Sequence, residues 1–169
     1  MKEKIKLSIR MAGEDDVPLI LEFIRELADY EHMLDQVEAT EERLKESIFE
    51  RKKAEVLIAE VGGSPAGFAL FFHNYSTFLG QPGIYLEDLF VRPQYRGYGV
   101  GGALLSRLAS LALERRCGRL EWVCLDWNEP SIGFYLSLGA KSMGDWTTYR
   151  VTGETLRKLA EGAWKKSDD

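Results

Sequence analysis

Two cysteines, two histidines and five prolines are all that the 169 residues hold of those types. Cys117 and Cys124 are not spaced C-x-x-C, and two thiols in a chain of this length do not suggest a disulfide framework. His32 and His73 lie far from each other and from the cysteines, so no metal site is expected. No apolar run approaches the roughly 20 residues that cross a bilayer. The opening Met1-Lys2-Glu3-Lys4-Ile5-Lys6 is charged and has no apolar stretch behind it, so no signal peptide is expected. Positive charge is also short: the formal net charge is −5, which argues against whole-molecule attraction to nucleic acid or to an anionic membrane. Repeats and low-complexity stretches are missing. The expectation is one domain over 1–169 with a polar tail from about 165, cytoplasmic and reduced, without nucleic-acid or membrane partners.

What is present reads as short elements with short connections. Lys6–Met11 alternates like a strand. Gly13 breaks it, and Glu14, Asp15 and Asp16 precede an apolar stripe at helical spacing: Val17, Ile20, Leu21, Ile24, Leu27, Ala28. Thr40, followed by Glu41 and Glu42, caps a second helix to about Glu50. Glu55–Val61, Gly62-Gly63 and Gly67–Phe72 form a hairpin pattern, and Ile84–Val91 is a further strand. A helix with Leu104, Leu108 and Leu111 ends at Cys117-Gly118. Then come a strand at Arg119–Leu125, a short helix from Asn128 to Gly139, a strand at Trp146–Val151 and a last helix at Thr152–Gly162. Hairpin-length links make an antiparallel meander, and the later strand–helix–strand unit makes a parallel crossover. The fold class is mixed α+β, with helices on both faces, rather than a regularly alternating Rossmann sheet.

The most informative stretch is Val91–Gly102, V-R-P-Q-Y-R-G-Y-G-V-G-G. A strand ends, Pro93 forces an exit from pairing, and four glycines in six residues remove side chains where a helix begins. A helix start offers free N–H donors and the positive end of its dipole, so a phosphate is the natural tenant, flanked by Arg92 and Arg96. The bland reading is a turn that packs a helix closely on a strand, but four glycines exceed that need. Gly97-Tyr98-Gly99-Val100-Gly101-Gly102 also matches the dinucleotide fingerprint G-x-G-x-x-G, with Asp126 after the next strand. That fingerprint usually follows a first strand, whereas four strand candidates precede this loop. No Gly-Lys-Ser/Thr follows, so a Walker loop is not indicated.

Arg96-Gly97-Tyr98-Gly99-Val100-Gly101 resembles the R/Q-x-x-G-x-G/A motif of the GNAT superfamily of N-acetyltransferases. Tyr85-Leu86-Glu87-Asp88-Leu89-Phe90-Val91, Trp127-Asn128-Glu129-Pro130-Ser131 with Phe134-Tyr135, and Glu26-Leu27-Ala28 with Tyr30-Glu31 resemble the spermidine/spermine (diamine) and thialysine branch. The resemblance runs from about Ile9 to Val151. It implies a largely antiparallel sheet of six to seven strands with a splayed cofactor cleft, acetyl-CoA as cosubstrate and a homodimer. It further implies that Arg96, Gly97, Tyr98, Gly99, Val100, Gly101 and Gly102 hold the pyrophosphate. The backbone of Leu89, Phe90 and Val91 would pair with the pantetheine arm, and Asn128, Ser131 and Phe134 would touch it.

Acetyl transfer to an amine needs a base for the ammonium proton, support for the oxyanion and a proton donor for the leaving thiolate. The resemblance makes Glu87 the base, directly or through water, and Tyr135, near the start of its short helix, the acid. It makes Asp88, with Tyr30 and Glu31, substrate-binding. Read alone, Tyr135 is a half-buried tyrosine bridging layers, and Glu87 and Asp88, on opposite faces by strand alternation, are salt-bridge partners of an arginine. Asn128 and Ser131 are helix caps. Tyr30 and Glu31 are a solvated helix end, and Trp146 is core packing rather than a wall of the acceptor site. His73 and the cysteines are structural.

The loop Tyr75-Ser76-Thr77-Phe78 lacks the acidic residue and tryptophan of the polyamine enzymes and is closer to the thialysine type. The expected activity is acetylation of the primary amine of a small cationic acceptor, a polyamine, thialysine or lysine-like amine. The alternatives are a peptide or protein N-acetyltransferase and a non-catalytic module binding CoA or a dinucleotide. Charge is segregated: nine acids against three bases over 22–46, six arginines against Glu114 alone over 92–119. That pattern suggests a basic lobe for CoA phosphates and an acidic lobe for a cationic amine, flanking one cleft.

Overall fold

A computed structural model describes residues 6–162. The opening Met1–Ile5 and the polar tail from about 165 lie outside the described residues. The chain divides into two compact units, one ending at Val123 and the other beginning at Cys124. No helix among the described residues is long and apolar enough to cross a membrane.

The first unit is a five-stranded sheet in the order β1-β2-β3-β4-β5. β1 (Leu7–Met11), β2 (Glu55–Val61), β3 (Ser64–Ser76) and β4 (Gln81–Val91) form the antiparallel meander. β5 (Leu120–Trp122) joins β4 in parallel through the crossover helix α3 (Val100–Glu114). The fold is the expected mixed α+β class, with five strands where six to seven were expected. Two expected strands come out differently, and only the second changes the count. β5 keeps three of the seven residues of Arg119–Leu125, and Trp146–Val151 adopts no strand. Trp146 is 80% exposed, so it is not core packing.

α1 (Val17–Tyr30) begins where Arg10 holds both carboxylate oxygens of Asp16, at 2.7 and 2.8 Å, while Asp16 accepts the Gly13 N–H at 2.8 Å. Its buried face is Val17, Ile20, Leu21, Phe23 and Leu27, the spacing that makes one stripe of a helix. α2 (Glu41–Leu44) starts on Thr40, whose side chain accepts the Arg43 N–H at 3.2 Å, and widens into a π-helical turn at Lys45–Glu50. This stripe, with Leu44 and Ile48, packs on Val56, Ile58, Phe68 and Phe90 of the sheet. Phe23 and Phe68 stack with ring centroids 5.1 Å apart. Strand alternation sends Leu57, Ala59 and Phe71 to the opposite face, where α3 packs with Leu104, Leu108 and Leu111.

The second unit holds α4 (Glu129–Ser137) and α5 (Gly153–Ala160). α4 ends in a Schellman turn: the Gly139 N–H donates to Leu136 O at 3.0 Å and the Ala140 N–H to Tyr135 O at 3.2 Å.

Removing the stacked ring in Phe68→Ala should cost about 3–5 kcal/mol, transfer and cavity terms together. Phe78→Ala, at a fully exposed ring, should stay within about 0.5 kcal/mol. Urea titration of both variants measures the contrast.

Candidate active site

β4 carries one residue too many for its partner. Leu86 lies opposite Phe71 and Asp88 opposite Leu70, which leaves Glu87 with no partner on β3. Opposed residues of an antiparallel pair share a face, so the bulge shifts the phase of the strand. Asp88 and Phe90 join Leu70 and Phe68 on the α1 face, while Leu86 joins Phe71 on the other. Strict alternation, as read from the sequence, would have put Leu86 and Phe90 on one face. Glu87 is exposed, and Asp88 beside it is half-buried.

The parallel pairing of β4 with β5 stops at Leu86–Trp122, one residue before the bulge. Arg92 N–H donates to Ala66 O at 2.8 Å, so the backbone of Phe90 and Arg92 faces β3. The backbone of Leu89 and Val91 therefore faces the side where no strand of the first unit pairs. Phe90 itself is 6% exposed and its ring belongs to the core.

Beyond Val91, a 3₁₀ turn at Pro93–Tyr95 leads into the glycine loop. Gly97 and Gly99 have φ of +82° and +79°, a left-handed region that favours glycine. Gly99 at the N-cap of α3 has no side chain with which to take the first-turn N–H groups of Val100, Gly101 and Gly102. A Cβ placed on Gly97, Gly99 or Gly102 would meet nothing within 4 Å, so the loop is open at the helix start. Tyr98 stands 55% exposed on it.

The two arginines around the loop are both engaged. Arg92, read from the sequence as an anion flank, pairs with Glu22 at 2.5 Å and Glu26 at 2.8 Å, donates to Pro65 O and stacks over Phe23. It is a clamp between α1 and the end of β4. Arg96 donates from Nε to Val91 O at 2.9 Å, and its guanidinium lies over Tyr30. Arg115 pairs with Glu55, Arg107 with Glu114 and Arg119 with Glu121. Much of the basic stretch is therefore neutralised locally, and the acidic and basic stretches meet along the Arg92 seam rather than standing apart as two lobes. The seam had a sequence signal: Glu22 and Glu26 repeat at i, i+4, as do Arg92 and Arg96.

Three carboxylates share the region at the end of α1. Burial, and then the charges of Glu87 and Glu31, push Asp88 up to about 7. Burial also raises Glu31 above the usual carboxylate range. Burial and the charges of Glu87 and Glu121 raise the Tyr85 phenol. Among the described residues the expected arginine partner of Glu87 or Asp88 is not found in an ion pair, whereas a cation placed here would relieve three interacting acids at once.

In the second unit, Asn128 occupies the N-cap position of α4 and is 8% exposed, and its side chain makes no cap hydrogen bond to the helix. Ser131 and Phe134 lie on α4, and the Phe134 and Tyr135 rings are 5.6 Å apart. Tyr135 sits in the last turn of α4 rather than near its start, with its carbonyl held by the Schellman turn.

The sequence model of the Acetyltransferase (GNAT) family matches residues 20–140. A thialysine N-epsilon-acetyltransferase from Bos taurus is 39% identical over 164 residues, covering 90% of this chain and 96% of that protein. An L-ornithine N5-acetyltransferase from Arabidopsis thaliana is 30% identical over 197 residues, covering 89% and 86%. Among solved structures, an integron cassette protein from the mobile metagenome of V. cholerae superposes with a TM-score of 0.77 at 30% identity, covering 92% of this chain and 98% of that one.

Because the Asp88 carboxyl binds its proton more tightly folded than unfolded, its ionisation penalises the fold as pH rises from about 4 through about 7. Asp88→Asn should therefore raise the melting temperature at pH 8, by about 2–4 °C per kcal/mol of relief, and change it far less at about pH 4, where the carboxyl is protonated in the folded chain and half-protonated in the unfolded one. Calorimetric melts of both proteins at the two pH values check the sign.

Proposed function

The chain belongs to the GNAT acetyltransferase family and is an N-acetyltransferase, and from that membership we propose that it moves the acetyl group of acetyl-CoA to the primary amine of a small cationic acceptor of the polyamine, thialysine or lysine-like kind. The observation that carries this reading is the β4 bulge. It sets an exposed Glu87 beside the half-buried Asp88, at the head of a strand edge without a strand partner in the first unit that runs to an open, glycine-capped helix start. The two units are taken as one catalytic domain, since the family match runs across Val123.

The residues present suit the donor. The N–H groups from Gly97 to Gly102 would hold the pyrophosphate, because a helix N-terminus with left-handed glycines admits an anion closely. The outward backbone of Leu89 and Val91 would pair with the pantetheine arm as an added strand does. Asn128, Ser131 and Phe134 on α4 would line that arm. When bound, acetyl-CoA supplies a thioester carbonyl, which an uncharged amine can attack.

Glu87 accepts the ammonium proton at its carboxylate, which frees the nitrogen lone pair. Asp88 and Glu31 hold a second cationic centre of the acceptor, whose charge favours the ionised form of both. Tyr135 would give its phenolic proton to the departing sulfur as the new C–N bond forms and the C–S bond breaks, and the second proton that the nitrogen loses in becoming an amide would restore the phenol. The absence of a carboxylate in Tyr75-Ser76-Thr77-Phe78 favours a short acceptor over a long polyamine. The working unit is a homodimer, and Trp146 and Tyr149, 80% and 92% exposed, offer apolar surface for a second copy.

Screening the pure protein with acetyl-CoA against polyamines, thialysine, lysine, ornithine and simple monoamines, with released thiol as the readout, tests the reading. Turnover of diamines and lysine-like amines is expected, and turnover of none overturns it. Glu87→Gln and Tyr135→Phe should each lower kcat about 10²–10⁴-fold while leaving CoA binding intact. An unchanged rate in Tyr135→Phe would remove it from the acid role.

A further inference from the structure

The outer edge of α1 carries Glu22, Glu26 and Tyr30 at i, i+4 and i+8, which is one row along a helix. Facing that row are Arg92 and Arg96, themselves four residues apart. Glu22 and Glu26 take Arg92, and Tyr30 takes Arg96, whose guanidinium carbon is 5.0 Å from the ring centroid. Phe90 lies under the same guanidinium at 5.7 Å. With the Nε bond to Val91 O, Arg96 is thus held by two rings and a carbonyl.

Arg96 is the last residue before Gly97, and the backbone that follows is the loop assigned to the pyrophosphate. Glycine-rich backbone is conformationally loose, and ordering it on ligand binding costs affinity. An arginine fixed at the loop's entry sets where the loop begins. Its Nε is spent on Val91 O, so the remaining guanidinium N–H groups are aimed by the plane in which the rings hold them.

We propose that Tyr30 is a positioning residue for the donor side of the reaction: its ring fixes Arg96 and, through Arg96, the pyrophosphate loop. The family resemblance puts Tyr30 with the acceptor, together with Glu31. The geometry divides that pair. Glu31 acts on Asp88 across the carboxylate cluster, whereas Tyr30 is turned to the arginine of the loop. The last turn of α1 then serves both substrates from adjacent residues. This inference rests on the acetyl-CoA reading above.

Calorimetric titration with coenzyme A alone, which needs no turnover, tests it on the full chain. Tyr30→Leu should weaken coenzyme A binding by about 3- to 30-fold, the span of cation–π contacts from exposed to desolvated settings. Tyr30→Phe keeps the ring and should bind as the unaltered protein does. Arg96→Gln should lose a similar factor, and the double variant no more than either single one, because the two residues act as one unit. In steady state, Tyr30→Leu should raise the KM for acetyl-CoA by the same factor and leave the KM for the amine within about twofold.

Normal coenzyme A binding in Tyr30→Leu with a raised amine KM overturns the proposal and returns the ring to the acceptor. Additive losses in the double variant also overturn it. If Tyr30→Leu does not fold, Arg96→Gln and Tyr30→Phe decide alone: a loss in the first and none in the second supports the proposal, and any other pattern overturns it. Failure of the unaltered protein to bind coenzyme A at all refutes the acetyl-CoA reading itself, an outcome separate from these.

Discussion

One unmatched residue in β4 organises the five-stranded unit of this molecule. Because Glu87 has no partner on β3, the strand changes phase between Leu86 and Asp88. The segment before the bulge packs Leu86 away from α1, and the segment after it packs Phe90 against α1. The same displacement brings an acid onto the α1 face at Asp88 and leaves another exposed at Glu87. The core tolerates this because the rest of β4 stays paired with β3 on both sides of the bulge, so a local loss of ladder geometry is surrounded by regular sheet.

The chemistry follows from what the bulge leaves exposed and what it buries. Pairing with β5 ends at Leu86, so the edge beyond it keeps outward backbone groups at Leu89 and Val91, of which the Val91 C=O already accepts from Arg96 Nε. In an ordinary sheet such an edge invites aggregation, and proteins cover it or use it. Here it leads straight into the glycine-capped start of α3, so a ligand with amides and a phosphate group would satisfy both. The acids at the other end repel one another and sit in partial burial, which makes a bound cation the natural counterpart. On the proposed function, amine and donor would use opposite kinds of group along one strand.

The charge distribution shows how far composition can mislead about a field. Six arginines between 92 and 119 suggest a positive lobe, yet four of them are held by carboxylates, two of those from α1. Arg92 in particular works as a fastener between helix and sheet. It is buried enough that losing one partner would leave a charge poorly solvated. Arg96 is the arginine left beside the loop, and the ring of Tyr30 and the carbonyl of Val91 set its direction.

Much was legible without coordinates. The apolar stripe of α1, the hairpin of β2 and β3, the crossover through α3 and the glycine loop follow from period, turn residues and caps, all of which act within a few residues. The segments Y-L-E-D-L-F-V and W-N-E-P-S pointed to the family before any geometry was known. Three matters needed the tertiary structure. The phase shift at Glu87 depends on how β3 and β4 register over ten residues, although the broken apolar alternation between Leu86 and Leu89 hints at it. The strand expected at Trp146–Val151 has the right side chains but no neighbour to pair with, and a strand exists only as part of a ladder. Glu22 and Glu26 lie more than sixty residues from Arg92, and Tyr30 as far from Arg96, so only the packing of α1 against the exit of β4 decides which charge meets which. Local order came from neighbours along the chain, and the site came from neighbours across it.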